Sequence, residues 1–161
     1  MSETVIQVSS LGKRIKGKTI LEDISFEINQ GDCVALIGPN GAGKTVLMSC
    51  ILGDKKPSSG QVLIDGKAGK AKNQIAVLLQ ENTIPNSLKV EELIAFFQAI
   101  SDNPLTNQEV QNLLRFKEDQ YQQFADKLSG GQRRLLAFVL CLIDKPKILF
   151  LDEPTAGMDT S

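Results

Sequence analysis

Histidine and tryptophan are both absent from these 161 residues, and Tyr121 is the only tyrosine. Without an imidazole, proton chemistry falls to carboxylates, and any metal falls to oxygen or thiolate donors. Cysteine is scarce: Cys33, Cys50 and Cys141 are odd in number, widely spaced and form no CxxC pair. That excludes a disulfide framework and zinc-ribbon spacing, and predicts core thiols in a reducing compartment. An excess of one charge is lacking too, since 18 basic and 19 acidic residues leave a net charge of −1. No nucleic-acid footprint follows from such a balance. The local basic cluster Lys13, Arg14, Lys16 and Lys18 is expected to be a solvated turn before a strand. The longest apolar stretch, Leu135 to Ile143, is too short to span a bilayer. No secretory leader pattern opens the chain, so membrane contact is expected only through partner subunits. Internal repeats and low-complexity segments are also missing, and a chain of this length can bury about 68 to 70% of its unfolded surface, enough for a core.

What is present begins with Gly38-Pro-Asn-Gly-Ala-Gly-Lys44-Thr45. It fits the pattern G-x-x-x-x-G-K-[ST], whose glycines let successive backbone N–H groups turn inward around a phosphate. Val34-Ala-Leu-Ile37 before it is a continuous apolar run, predicting a buried parallel strand, and Thr45 to Leu52 predicts a helix ending near Gly53. The loop would deliver phosphate to a helix N-terminus, where unpaired N–H groups and the dipole favour negative charge. Lys44 is placed to reach the β and γ phosphates, and the Thr45 hydroxyl to coordinate Mg²⁺.

Asp152 and Glu153 follow the apolar run Ile148 to Leu151, at the C-terminal end of a strand candidate, where open α/β sheets place ligands. Asp152 suits Mg²⁺, and Glu153 suits the polarisation of an attacking water. Earlier in the chain, Leu128-Ser-Gly-Gly-Gln132 contains an S-x-x-Q capping box ahead of a helix-patterned segment. Capping leaves Gly130 and Gly131 unexplained, because glycine in a first helical turn costs stability unless something approaches the backbone closely. A helix start with bare amides is a second phosphate-binding surface.

In these motifs the chain resembles the nucleotide-binding domain of the ATP-binding cassette (ABC) family. Gln80 after Ile75 to Leu79 matches the family's glutamine loop, and Ala156-Gly-Met-Asp159 matches its aspartate loop. Pro57-Ser-Ser-Gly60 and Asp65-Gly66 match a linking hairpin. The resemblance runs over essentially all of the chain. It implies an α/β fold: a phosphate-loop nucleotide core, an antiparallel β subdomain and a helical insert at about residues 81–128, all in one domain over 1–161. It also implies ATP and Mg²⁺ as ligands. Gly38, Pro39, Asn40, Gly41, Ala42, Gly43, Lys44, Thr45 and Val46 would enclose the phosphates, with Thr45, Gln80 and Asp152 at the metal. Lys44, Gln80 and Glu153 would be the catalytic groups. A head-to-tail dimer would bring Ser129, Gly130, Gly131 and Gln132 onto the other subunit's ATP, and Asp159 across the interface. Gln80 would also couple the site to a membrane partner.

Two departures accompany the resemblance. Aligning Lys18-Thr-Ile-Leu21 puts Ile15 where the family usually stacks an aromatic ring on adenine. The family also continues past its aspartate loop into a further core strand carrying a switch histidine. Here that segment is absent, which implies a C-terminally truncated domain lacking the last core strands. Loss of that strand would leave the phosphate-loop strand and the Asp152 strand either paired directly or completed by another copy.

Elsewhere, alternation over residues 1–30 and 60–66 predicts half-buried antiparallel strands, while 31–56, 73–80 and 144–161 are expected to build the nucleotide core. Helix-period segments cover Val90 to Ile100 and Thr106 to Phe116, broken by Ser101-Asp-Asn-Pro104. Phe96 and Phe97 are expected to be packing residues. The functional expectation is an ATP-binding and ATP-hydrolysing subunit on the cytoplasmic face of a membrane, with separate permease subunits. Ser87 to Leu93 and the compact insert lean towards exporter subunits, with import open. The alternatives are a soluble ABC ATPase of translation or DNA maintenance, and a nucleotide-binding module without turnover. These 161 residues alone are expected to bind ATP but hydrolyse it poorly.

Overall fold

Alternating apolar residues near the N-terminus form two twelve-residue strands, β1 (Thr4–Ile15) and β2 (Lys18–Asn29). The computed structural model describes residues 3–68, 75–78 and 84–152, and the chain divides into two units, Met1–Lys72 and Asn73–Ser161.

In the first unit, β1 and β2 are antiparallel, with Ile15 opposite Lys18. The two-residue turn between them, Lys16-Gly17, has φ of 48° and 79°. Positive φ at both central positions is the geometry that suits the twist of a tight hairpin, so the basic cluster flanks a turn as expected. Bulges shift the register between Val8 and Leu11, and β1 buries Val5, Ile6, Val8 and Leu11. On its other side β1 pairs with β3 (Ser59–Ile64), and β3 turns at Asp65-Gly66 into β4 (Lys67–Ala68), giving the order β2-β1-β3-β4. The antiparallel subdomain and the hairpin therefore form where the sequence placed them. Helix α1 (Lys44–Ile51) buries Leu47, Cys50 and Ile51, the i, i+3, i+4 stripe of one helix face.

Val34 to Ile37 is not a strand. Residues 32–39 carry no regular structure, and Val34, Leu36 and Ile37 are 60%, 47% and 90% exposed. An apolar run becomes a buried strand only when neighbours accept its N–H and C=O bonds, and among the described residues no strand pairs with this one. Cys33, beside it, is exposed, which corrects its assignment as a core thiol. Cys50 is buried and Cys141 half-buried, and burial raises both thiol pKa values.

The second unit is built on a parallel pair, β5 (Ile75–Leu78) and β6 (Ile148–Leu151), with Leu78 level with Leu151. Among the described residues this unit holds four α-helices, α2 (Val90–Ile100), α3 (Asn107–Leu114), α4 (Glu118–Tyr121) and α5 (Gly130–Leu142), of which α5 packs on β5 and α2 and α3 pack on α5. Leu78, Val90, Leu93, Val110, Leu136, Val139 and Ile143 form the centre of its core, almost free of solvent. Thr106 caps α3 with Glu109 reciprocating, so the helix starts where the capping residue dictates. Phe97 packs on the core, whereas Phe96, edge-to-face with it at 5.6 Å, is 56% exposed. The apolar stripe of α2 is thus wider than the core beneath it, and Phe96 is not the packing residue expected.

Candidate nucleotide site

The phosphate loop is shaped by its glycines. Gly41 and Gly43 have φ of 84° and 91°, a region L side chains rarely adopt. At Gly43 a side chain would also meet Leu21 at 2.9 Å and the Ile20 carbonyl at 3.3 Å, so the loop lies directly on β2. Gly38, Pro39, Asn40, Gly41 and Ala42 are exposed, with a turn closed by the Ala42 N–H donating to the Pro39 carbonyl at 3.2 Å. Gly43 is the N-cap of α1 but offers no side-chain acceptor, and the first turn holds no acidic residue. The leading amides of Lys44, Thr45 and Val46 therefore lack an intrahelical acceptor and are ready to receive an anion. Lys44 donates through Nζ to the carbonyls of Gly38 and Pro39, at 2.6 and 3.0 Å. Its ammonium lies folded over the loop, on oxygens that a phosphate would replace. Thr45 is exposed.

Ile15 is half-buried at the tip of the β1–β2 hairpin, in the same unit as the loop. It presents aliphatic surface with no π face.

In the second unit, the start of α5 has the expected capping box. Ser129 Oγ accepts from the Gln132 N–H at 3.3 Å, and Gln132 Oε1 accepts from the Ser129 N–H at 3.0 Å. Gly130 and Gly131 are exposed, and a Cβ on Gly131 would meet nothing within 4 Å. Local packing therefore does not demand glycine at position 131, and the start of α5 presents exposed amides.

Asp152 emerges at the C-terminal end of β6, half-buried, its N–H donating to the Leu78 carbonyl at 2.9 Å. The parallel register brings Leu78, at the end of β5, beside Leu151, at the end of β6. Gln80, Glu153 and Asp159 lie outside the described residues. Among the described residues, no three His, Cys, Asp or Glu cluster as a ready-made metal site. The Thr45 hydroxyl in the first unit and the Asp152 carboxylate in the second are each hard oxygen donors, the chemical type that Mg²⁺ takes.

Sequence patterns did not single out Arg133 and Arg134. Arg134 is 9% exposed and donates through Nη2 to the Asp152 carbonyl at 3.3 Å. Arg133 donates to the Ile84 carbonyl at 2.9 Å and to Asn86 Oδ1. The available signal was a charged residue three positions before Ala137, inside the buried stripe of α5.

Comparison with known proteins agrees with this construction. The family model for ABC transporters matches residues 21–156. The spermidine/putrescine import ATP-binding protein PotA of Mycoplasma mycoides is 32% identical over 167 residues, covering 99% of this chain and 48% of that protein. The Nod factor export ATP-binding protein I of Ralstonia nicotianae is 33% identical, over 98% of this chain and 52% of its own length. A solved ATP-binding subunit of an ABC transporter superposes with a TM-score of 0.81 at 26% identity, covering 97% of this chain and 69% of that one. The chain thus spans about half the length of these two curated relatives. No described helix is long and apolar enough to cross a membrane. On the family match, the phosphate loop and the fold, the chain belongs to the ABC transporter family.

Proposed function

We propose that this protein binds ATP with Mg²⁺ and hydrolyses it to drive an ABC transporter, as a subunit attached to separate permease subunits at the cytoplasmic face of a membrane. The carrying observation is the glycine loop feeding the uncapped N-terminus of α1, with Lys44 bonded to the loop carbonyls. Such a cradle selects a phosphate chain, and Lys44 would shift from Gly38 and Pro39 to the β and γ oxygens. Residues 38 to 46 hold and orient the phosphates, and Ile15 contacts the base. Thr45, Asp152 and Gln80 are the groups that would hold the metal, which supplies charge neutralisation at the phosphates. Glu153 takes a proton from water as its oxygen bonds to the γ-phosphorus and the bond to the β-bridging oxygen breaks, releasing ADP and phosphate.

The open amides at Gly130 and Gly131, with Ser129 and Gln132, suit the γ-phosphate bound by a second copy or a paralogous subunit, in a head-to-tail dimer that Asp159 crosses. In this reading both units, with a helical insert at about 81–128, are parts of one nucleotide-binding domain. Relatives named for import and for export match comparably. These 161 residues alone should bind ATP and turn it over slowly.

The test is steady-state phosphate release and ATP binding by this chain and by a version extended through a further strand and histidine. Binding by both with turnover by the longer chain supports the reading. In the longer chain Lys44→Ala should abolish binding, and Glu153→Gln should bind ATP and accumulate as a dimer. Unchanged turnover by the Glu153→Gln protein would refute the assignment of the base.

A further inference from the structure

Arg134 is the only buried charged residue among the described residues. A guanidinium withdrawn from water is unfavourable unless its donors are matched. One of its donors goes to the backbone carbonyl of Asp152, whose N–H is already held by Leu78 at 2.9 Å. The peptide groups on both sides of the Asp152 Cα are therefore anchored, one to β5 and one to α5. This is more restraint than a strand end needs, and it falls on the residue assigned to the metal. Its neighbour Arg133, about 100° further round the helix, reaches the segment after the glutamine loop through Ile84 and Asn86. All three bonds are charge-assisted, and they start from the fourth and fifth residues of α5, within about one turn of the exposed amides of Gly130 and Gly131.

We propose that Arg133 and Arg134 are positioning residues that tie the start of α5 to the 84–86 segment and to the Asp152 end of β6. The inference rests on the ATPase reading above. A shift of α5 when its leading amides meet a nucleotide would then be carried to the metal-bearing end of the strand by Arg134, and to the glutamine-loop exit by Arg133. Neither arginine touches the reacting atoms.

The test uses the complete ATP-binding subunit containing this chain, with Arg134→Gln, Arg134→Lys and Arg133→Ala. Measured for each are kcat, KM for ATP, the Mg²⁺ concentration at half-maximal rate, ATP binding without Mg²⁺, and Tm. Removal of a group that orients a metal ligand typically costs 10–100-fold in metal affinity or activity, so Arg134→Gln should lower kcat or raise the Mg²⁺ requirement about tenfold or more. Metal-free ATP binding should be unchanged, and Arg134→Lys should recover part of the loss. Arg133→Ala should lower kcat with the Mg²⁺ requirement unaltered. Should Arg134→Gln fail to fold, Arg134→Met keeps the apolar stem and leaves no polar side chain unmatched at position 134, and it carries the same readouts. An unchanged kcat and Mg²⁺ requirement in a folded Arg134 variant would overturn the proposal. So would losses in the glutamine and lysine variants that merely follow Tm. Absence of turnover in the unsubstituted protein would instead overturn the ATPase reading, and the Mg²⁺ dependence of nucleotide binding would still report on Arg134.

Discussion

Ile15 shows how one side chain can set the quality of a site whose backbone is sound. It sits half-buried at the hairpin tip in the unit that carries the phosphate loop. Offset aromatic pairs contribute about 0.5 to 1.5 kcal/mol beyond area burial. Ile15→Tyr should therefore tighten ATP binding about 2- to 13-fold, measurable by equilibrium titration with a fluorescent ATP analogue. Unchanged affinity would mean that the base does not stack at the hairpin tip. The phosphate contacts are a separate matter, because they depend on main-chain amides that no substitution at position 15 alters.

At the scale of elements, capping and exposed faces lead to two expectations. Glu109 accepts from the Thr106 N–H at 2.7 Å and from the Thr106 hydroxyl at 2.9 Å, and these bonds, the backbone one first, lower its pKa. A carboxylate with a depressed folded pKa stabilises the protein above its unfolded pKa, and the contribution is lost as pH falls through the folded value. Glu109→Gln should lower Tm at pH 7, and the deficit should shrink as pH falls below the ordinary glutamate range near 4.3. A Tm difference that is constant with pH would show that the cap does not depend on the charge. On α2, Phe96 and Ile100, at 56% and 64% exposure, stand one turn apart on the same face. An exposed apolar pair of this kind suits the permease subunits proposed above. Phe96→Asp should reduce co-purification with those subunits while leaving ATP binding by the isolated subunit intact, since Phe96 carries little of the core.

For the whole molecule, the decisive contrast is between backbone that is paired and backbone that is not. Amides of β5 and of the centre of β1 are shielded by ladders and by apolar neighbours, whereas residues 34–37 have neither. Hydrogen exchange on this chain should accordingly show protected amides at 6–8 and 75–78, and near-random-coil rates at 34–37. Slow exchange at 34–37 would mean that a partner strand covers them in solution. Adding Mg-ATP should slow exchange at 44–46, where the first amides of α1 would be occupied by phosphate. No comparable change is expected in the hairpin of β3 and β4.

Much of this protein was written in local pattern. The Gly38 to Thr45 loop, the Ser129–Gln132 cap, the two long antiparallel strands and the limits of α2 all depend on residues close in sequence, or on a two-residue turn such as Lys16-Gly17. Each could be read before any fold was known. Tertiary structure alone decided what depends on partners distant along the chain. Val34 to Ile37 has the composition of a buried strand yet stays exposed, because hydrogen bonds across a sheet come from other strands and composition cannot supply them. Phe96 and Phe97 are the same residue type at adjacent positions, and helix rotation against the core separated an exposed ring from a packed one. Arg134 reads as one more charge beside a signature motif; only folding placed it under the backbone of Asp152, 18 residues away in sequence. Sequence determines which groups can bind a phosphate, while the assembled core determines which of the remaining charges holds those groups in place.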